Sequence, residues 1–139
     1  MEAYLTANQF LTSLNNEIPA SRNETYSRNL ASIKSLVLVL FTEDKTVVPK
    51  ESAWFGAEEF EKDARKSEAQ RPLFKLDSGL SILPMRLQPI YLENWIGLRE
   101  LDERGRIVFE SCKGEHMQMA DCWEGLVHKF VGEGRKFRI

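Results

Sequence analysis

Two residues in this chain have types and placements that suit acid–base chemistry. Asp44 follows the apolar run Ser35–Phe41 (SLVLVLF) by a short polar stretch. His116 follows a second such run, Arg106–Cys112 (RIVFESC), by another, two residues past Gly114. Adjacent loops of this kind bring a carboxylate and an imidazole within reach of each other. The carboxylate would hold the ring of His116 in one tautomer and stabilise its protonated form, leaving the other ring nitrogen to take and return a proton. In open α/β sheets, sites gather beyond the carboxyl ends of the strands, which is where both residues fall. Each also has an ordinary reading. An Asp after a strand often closes a turn, and a loop His is often simply polar surface. His128 is a weaker candidate, because it falls in the last turn of a C-terminal helical pattern, where a cation suits the helix dipole.

The elements that must position the pair are legible as changes of period. SLVLVLF is continuous, apolar and partly β-branched, which predicts a strand buried on both faces, as in parallel sheets. Before it, Tyr26, Leu30 and Ile33 are spaced as one helix face, with Asn23 or Thr25 as cap. Tyr4, Leu5, Phe10, Leu11 and Leu14 give a looser helical pattern over 3–15, followed by a polar loop. Residues 50–68 (KESAWFGAEEFEKDARKSE) read as a helix with i,i+4 pairs Glu58/Lys62 and Glu61/Arg65 on a solvated face. Residues 70–90 hold three of the five prolines and read as irregular. NWIGLRELDERG is a short helix or turn, and RIVFESC a second strand. Trp123, Leu126, Val127, Phe130 and Val131 form one apolar face of a closing helix that Gly132 would stop. The tail 133–139 reads as frayed. Helix followed by buried strand places the chain in the α/β class.

Composition bounds the rest. The 139 residues, 42% hydrophobic and 29% charged, suit one globular domain or part of a larger one. A formal charge of −2 and the absence of a Lys/Arg run argue against a nucleic-acid partner. The longest apolar stretch is far too short to span a bilayer, so stable membrane insertion is not expected. The opening MEAYLTANQF has no basic segment followed by an apolar one and does not read as a signal peptide. Cys112 and Cys122 form no CxxC pattern and imply no zinc site. They are expected to be free, packing-related thiols.

Four stretches, NETYSRNL, VLFTEDKTVVPKESAWFG, IGLRELDERGRIVFES and KGEHMQM, resemble the C-terminal half of the palmitoyl-protein thioesterases. These are lysosomal α/β-hydrolases that remove long-chain fatty acids from protein cysteines. The second stretch carries the family's apolar strand, acidic residue, Val-x-Pro segment and Trp-Phe-Gly as Asp44, Val47 to Pro49 and Trp54-Phe55-Gly56. The last carries its Gly-acidic-His-apolar-Gln segment as Gly114 to Gln118. The resemblance implies that Asp44 is the acid and His116 the base of a Ser-His-Asp triad, in the chain order nucleophile, acid, His that α/β-hydrolases use. It implies that Asn23-Glu24-Thr25 is a glycosylation acceptor. It implies a single partial α/β-hydrolase domain over 1–139, an incomplete parallel sheet flanked by helices, with 57–90 as an irregular insertion.

The family's nucleophile sits in a Gly-x-Ser-x-Gly elbow, and no such pattern occurs in these 139 residues. The resemblance therefore implies that the Ser, its oxyanion hole and the central strands belong to an N-terminal half outside this chain. Expected substrates are S-acylated proteins or acyl-CoA, with no cofactor or metal, and the expected location is the lysosome or secretory pathway. Two other readings remain open: a catalytically inactive remnant that binds a partner or acyl chain, and a hydrolase of the same fold acting on another acyl ester.

Overall fold

A computed structural model describes residues 2–58, 81–119 and 122–132. Strand β1 (Leu36–Phe41) pairs in parallel with β4 (Ile107–Cys112), from Leu36 beside Ile107 to Phe41 beside Cys112. A short antiparallel pair, β2 (Ala57–Glu58) and β3 (Ile82–Leu83), lies apart from it. The helices are α1 (Glu2–Ala7), α2 (Gln9–Leu14), α3 (Glu24–Ser32), α4 (Pro89–Leu92), α5 (Leu98–Glu103) and α6 (Cys122–Phe130). Helix-to-strand alternation around a parallel pair is the α/β arrangement expected of the sequence.

The core forms where α3 crosses α5. Leu98 and Leu101 of α5 are fully buried and Ala31 of α3 nearly so. The close approach depends on Gly97, which has φ +85° and leaves the backbone room to turn into α5. A Cβ there would lie 2.2 Å from the Ser27 carbonyl oxygen. Arg104 and Arg106 then donate to the carbonyls of Ala31 and Ile33 at the carboxyl end of α3, where cations meet the negative end of the dipole. Arg86 forks onto both oxygens of Asp102 at 2.7 and 2.9 Å, and the Tyr91 hydroxyl donates to the same carboxylate. That network ties the segment before α4 to α5. At the amino end, the buried amide of Asn16 donates to the carbonyls of Asn23 and Trp95 and accepts from the Asn23 N–H. Both amide hydrogens and the oxygen thus have partners, which is the condition for burying an amide.

Several elements differ from their sequence reading. The pattern over 3–15 is two helices, because the Asn8 side chain accepts from the Leu11 N–H and starts α2 afresh. Asn23, not Thr25, caps α3, accepting from the Thr25 N–H at 2.9 Å. Of the helix expected over 50–68, the described residues begin with a 3-10 turn that ends at Trp54. Phe55 takes the left-handed conformation, and a Cβ on Gly56 would lie 2.7 Å from the Glu51 carbonyl oxygen. The chain is thereby turned into β2, and the remainder of that expected helix lies outside the described residues. The stretch 57–90, expected to be irregular, holds β2, β3 and the first two residues of α4 among its described residues. In β1 only Leu40 is fully buried, so the two-sided burial expected of a central parallel strand is incomplete within this chain.

Truncating the core should show where stability resides. Leu101→Ala is expected to cost about 2–5 kcal/mol. Leu92→Ala, at a half-exposed position, should cost under about 1 kcal/mol. Urea unfolding of the two variants checks the contrast.

Candidate active site

Two hydrogen bonds continue the β1–β4 ladder past the ends of the strands. The Thr42 N–H donates to the Cys112 carbonyl at 2.9 Å, and the Glu43 N–H to the Gly114 carbonyl at 3.0 Å. The loops that leave β1 and β4 therefore depart side by side from the same, carboxyl, end of the pair. A parallel ladder produces this, because both strands run in one direction.

Asp44 is the next residue on the first loop. Its Oδ1 accepts from the backbone N–H groups of Thr46 and Val47, at 2.8 and 3.0 Å. This Asx-type turn fixes the carboxylate from within its own loop. Its Oδ2 lies 2.8 Å from Nδ1 of His116. The Asp44 side chain is only 8% exposed and the imidazole 40%, so the carboxylate is covered while the ring faces outward. An ionised carboxylate only accepts, so Nδ1 carries the proton and donates. Nε2 is then the basic nitrogen, and none of the described residues bonds it. The carboxyl of Asp44 is held below its ordinary range, first by the Val47 N–H and next by the hydrogen bond from His116, with burial opposing. Both effects favour the charged form that orients a histidine.

The His116 loop is itself turned tightly. Met117 has φ 59°, the Gln118 side-chain oxygen accepts from the Glu115 N–H, and the Gln118 N–H donates to the Glu115 carbonyl. Below the site, the Trp54 indole N–H is shared between the carbonyls of Leu38 and Glu110, one from each strand, and its ring meets Phe109 edge to face. Trp54 thus clasps β1 to β4 on the face away from α6. Trp54 and Gln118 lie in the stretches that carry the family resemblance, but no supporting role is read for them from the sequence. An Asp just past a strand is a recognisable turn former, but nothing local marks a tryptophan as a clasp.

One expectation is overturned. Cys112 and Cys122 are joined as a disulfide, with Cα atoms 5.7 Å apart. Cys112 ends β4 on the face that α6 covers, and Cys122 opens α6, so the helix doubling back over the strand brings the two together. That Cα separation is the usual one for a disulfide. Closing so short a loop restricts the unfolded chain by about 3 kcal/mol in the chain-entropy account. His128 lies in the last turn of α6 and takes no part in the pair. Asn23 is exposed at the start of α3, remote in sequence from either loop. Among the described residues no cluster of His, Cys, Asp or Glu could hold a metal ion, and no helix is long and apolar enough to cross a membrane.

Comparison with known proteins decides the family. A family model described as palmitoyl protein thioesterase matches residues 1–116. The chain belongs to the palmitoyl-protein thioesterase family. It is 43% identical over 119 residues to palmitoyl-protein thioesterase 1 of Caenorhabditis elegans, covering 86% of this chain and 34% of that protein. It is 36% identical over 116 residues to palmitoyl-protein thioesterase 3 of Dictyostelium discoideum, covering 84% and 34%. Lysosomal thioesterase PPT2 of Mus musculus is 28% identical over 107 residues, covering 77% and 30%. The chain thus spans about a third of the length of the curated relatives it matches. Palmitoyl-protein thioesterases are α/β-hydrolases, and the parallel β1–β4 pair with its flanking helices is consistent with part of that fold.

The Asp44 carboxyl should titrate below the ordinary Asp value of about 3.9. A depressed folded-state value means that Asp44 contributes stability that is fully present above that ordinary value. The contribution is lost as pH falls through the lower, folded one. Carboxyl-carbon NMR of Asp44 checks the direction. In Asp44→Asn, the part of the pH dependence of unfolding that lies below about pH 4 should shrink.

Proposed function

We propose that Asp44 and His116 are the acid and base of a palmitoyl-protein thioesterase, completed by a Ser nucleophile outside this chain. The observation that carries the proposal is the 2.8 Å contact between Asp44 Oδ2 and His116 Nδ1 at the carboxyl ends of a parallel pair, with Nε2 left free. In the complete enzyme, the Ser hydroxyl attacks the thioester carbonyl while Nε2 takes its proton. The imidazolium that forms is stabilised by the Asp44 carboxylate, which itself stays ionised. The thiol of the protein cysteine then leaves with the proton from Nε2. Water, deprotonated by the same nitrogen, releases the fatty acid from the acyl-enzyme and frees the Ser. Neither metal nor cofactor has a step in this sequence. Substrates are S-acylated proteins or acyl-CoA.

Location in the lysosome or secretory pathway is part of the same proposal. It is supported by the naming of relatives as lysosomal thioesterases and by the disulfide, since disulfides persist in oxidising compartments. Asn23 is proposed as a glycosylation acceptor. It heads an Asn-Glu-Thr triplet on the surface, and its Oδ1, not its amide nitrogen, makes the helix cap. Sugar and cap are therefore compatible. Secreted from eukaryotic cells, the chain should lose apparent mass on N-glycosidase treatment, and Asn23→Gln should abolish that loss.

Activity gives the main test. Residues 1–139 alone should neither hydrolyse palmitoyl-CoA nor be labelled by a fluorophosphonate. Joined to an upstream half bearing Gly-x-Ser-x-Gly, the protein should do both. His116→Ala should then lower kcat by about 10⁴–10⁶, as loss of a triad member does. Asp44→Asn should lower it by about 10⁴, through the wrong imidazole tautomer. Turnover of palmitoyl-CoA indifferent to both substitutions would contradict the assignment.

A further inference from the structure

We infer that the Cys112–Cys122 disulfide positions His116, by fixing the exit end of the loop that carries it; this rests on the reading of Asp44 and His116 as acid and base. His116 lies four residues after Cys112 and six before Cys122, inside the ring that the disulfide closes. The entry end of the loop needs no covalent help. Cys112 is the last residue of β4 and almost wholly buried. The Cys112 and Gly114 carbonyls accept from Thr42 and Glu43, so this end is locked to the ladder.

Among the described residues the exit end has no such lock. The described hydrogen bonds after His116 join Gln118 to Glu115 twice, through backbone and side chain, and run from Met119 to Met117 and from Cys122 to Met119. They shape the loop but do not attach it to the sheet. Packing of α6 does not attach it either. No residue of α6 is fully buried, and a cavity of about 380 Å³ separates the helix from Val37, Val39 and Phe41 of β1. Lys129 reaches Glu110 at 3.4 Å, but the lysine side chain is 62% exposed, and an ion pair so open to water holds little. Among the described residues the S–S bond is therefore the firm attachment between the start of α6 and the end of β4.

Geometry makes that attachment matter to the imidazole. The ring has one described partner, Asp44, and the contact is 2.8 Å. Such a bond is no longer one beyond about 3.5 Å. Drift of the loop by about an ångström thus releases the ring from the carboxylate that orients it. Cys112 and Cys122 touch no reacting atom in this account. They are positioning residues acting through the backbone of the loop.

The test reads the ring itself. In the full 139-residue chain, NMR should detect the His116 Nδ1 proton, protected from water by its bond to Asp44. Dithiothreitol converts the S–S bond to two thiols and is itself oxidised to its cyclic disulfide. After that treatment the Nδ1 resonance should be lost to exchange while the ladder amides of Leu40 and Glu110 stay protected. Removal of the reductant and air oxidation should restore it, and Cys122→Ser should behave like the reduced chain. Survival of the resonance after reduction, with the strand amides intact, would overturn the inference. So would two freely reactive thiols in the untreated chain. Loss of strand protection together with the resonance would also overturn it, since the disulfide would then hold the whole fold and not the loop. A joined enzyme that fails to cleave palmitoyl-CoA, beside a ring that loosens on reduction, would sink the thioesterase reading and leave this one standing.

Discussion

The hydrogen bond between His116 and Asp44 joins residues 72 positions apart, and a contact of that span forms only when larger interactions have already met the entropy of closing the chain. The interaction that does so is the parallel pairing of β1 with β4. Its ladder sets the two strands in register, and its continuation through Thr42 and Glu43 delivers both loops to one end. A slip of one residue would turn Cys112 to the opposite face of the sheet and away from Cys122. It would also carry Asp44 and His116 past each other along the strand axis by about 3.3 Å, more than a hydrogen bond tolerates.

The other elements hold this register in place. Trp54 binds a carbonyl of each strand and so resists their sliding. Helices α3 and α5 form the tightest core, and each lies immediately before a strand of the pair: α3 leads into β1, and α5 into β4. The arginines at the start of β4 close the carboxyl end of α3, which couples that core to the start of both strands. Core packing at one end of the pair and the acid–base contact at the other are thus linked along the strands.

Much of this was legible in the sequence. SLVLVLF announced a strand of a parallel sheet because its apolar residues run on without helical spacing, RIVFESC read as a second strand, and the helix-then-strand order gave the α/β class. Asp44 and His116 stood out because each falls a few residues beyond a strand. What escaped was non-local or subtle in spacing. The disulfide could not be foreseen from its two cysteines, because pairing requires α6 to fold back over β4, a tertiary fact. Over residues 50–58 the expected helix gives way to a 3-10 turn and a strand, because the turn at Phe55 and the crowding around Gly56 redirect the chain. Asn8 divides a weakly periodic amino-terminal segment because a side-chain cap competes with the helical backbone. In each case a single residue's local geometry outweighed a pattern averaged over many.

As proposed, Asp44 and His116 serve a thioesterase whose nucleophile lies on another segment, and their chemistry converges on one nitrogen, His116 Nε2. A crystal structure of the chain joined to an upstream half bearing the Gly-x-Ser-x-Gly elbow tests it most directly. The account predicts the Ser Oγ within about 3.2 Å of His116 Nε2, with Asp44 still on Nδ1. A Ser hydroxyl bonded to some other base, with His116 Nε2 turned to solvent, would contradict it.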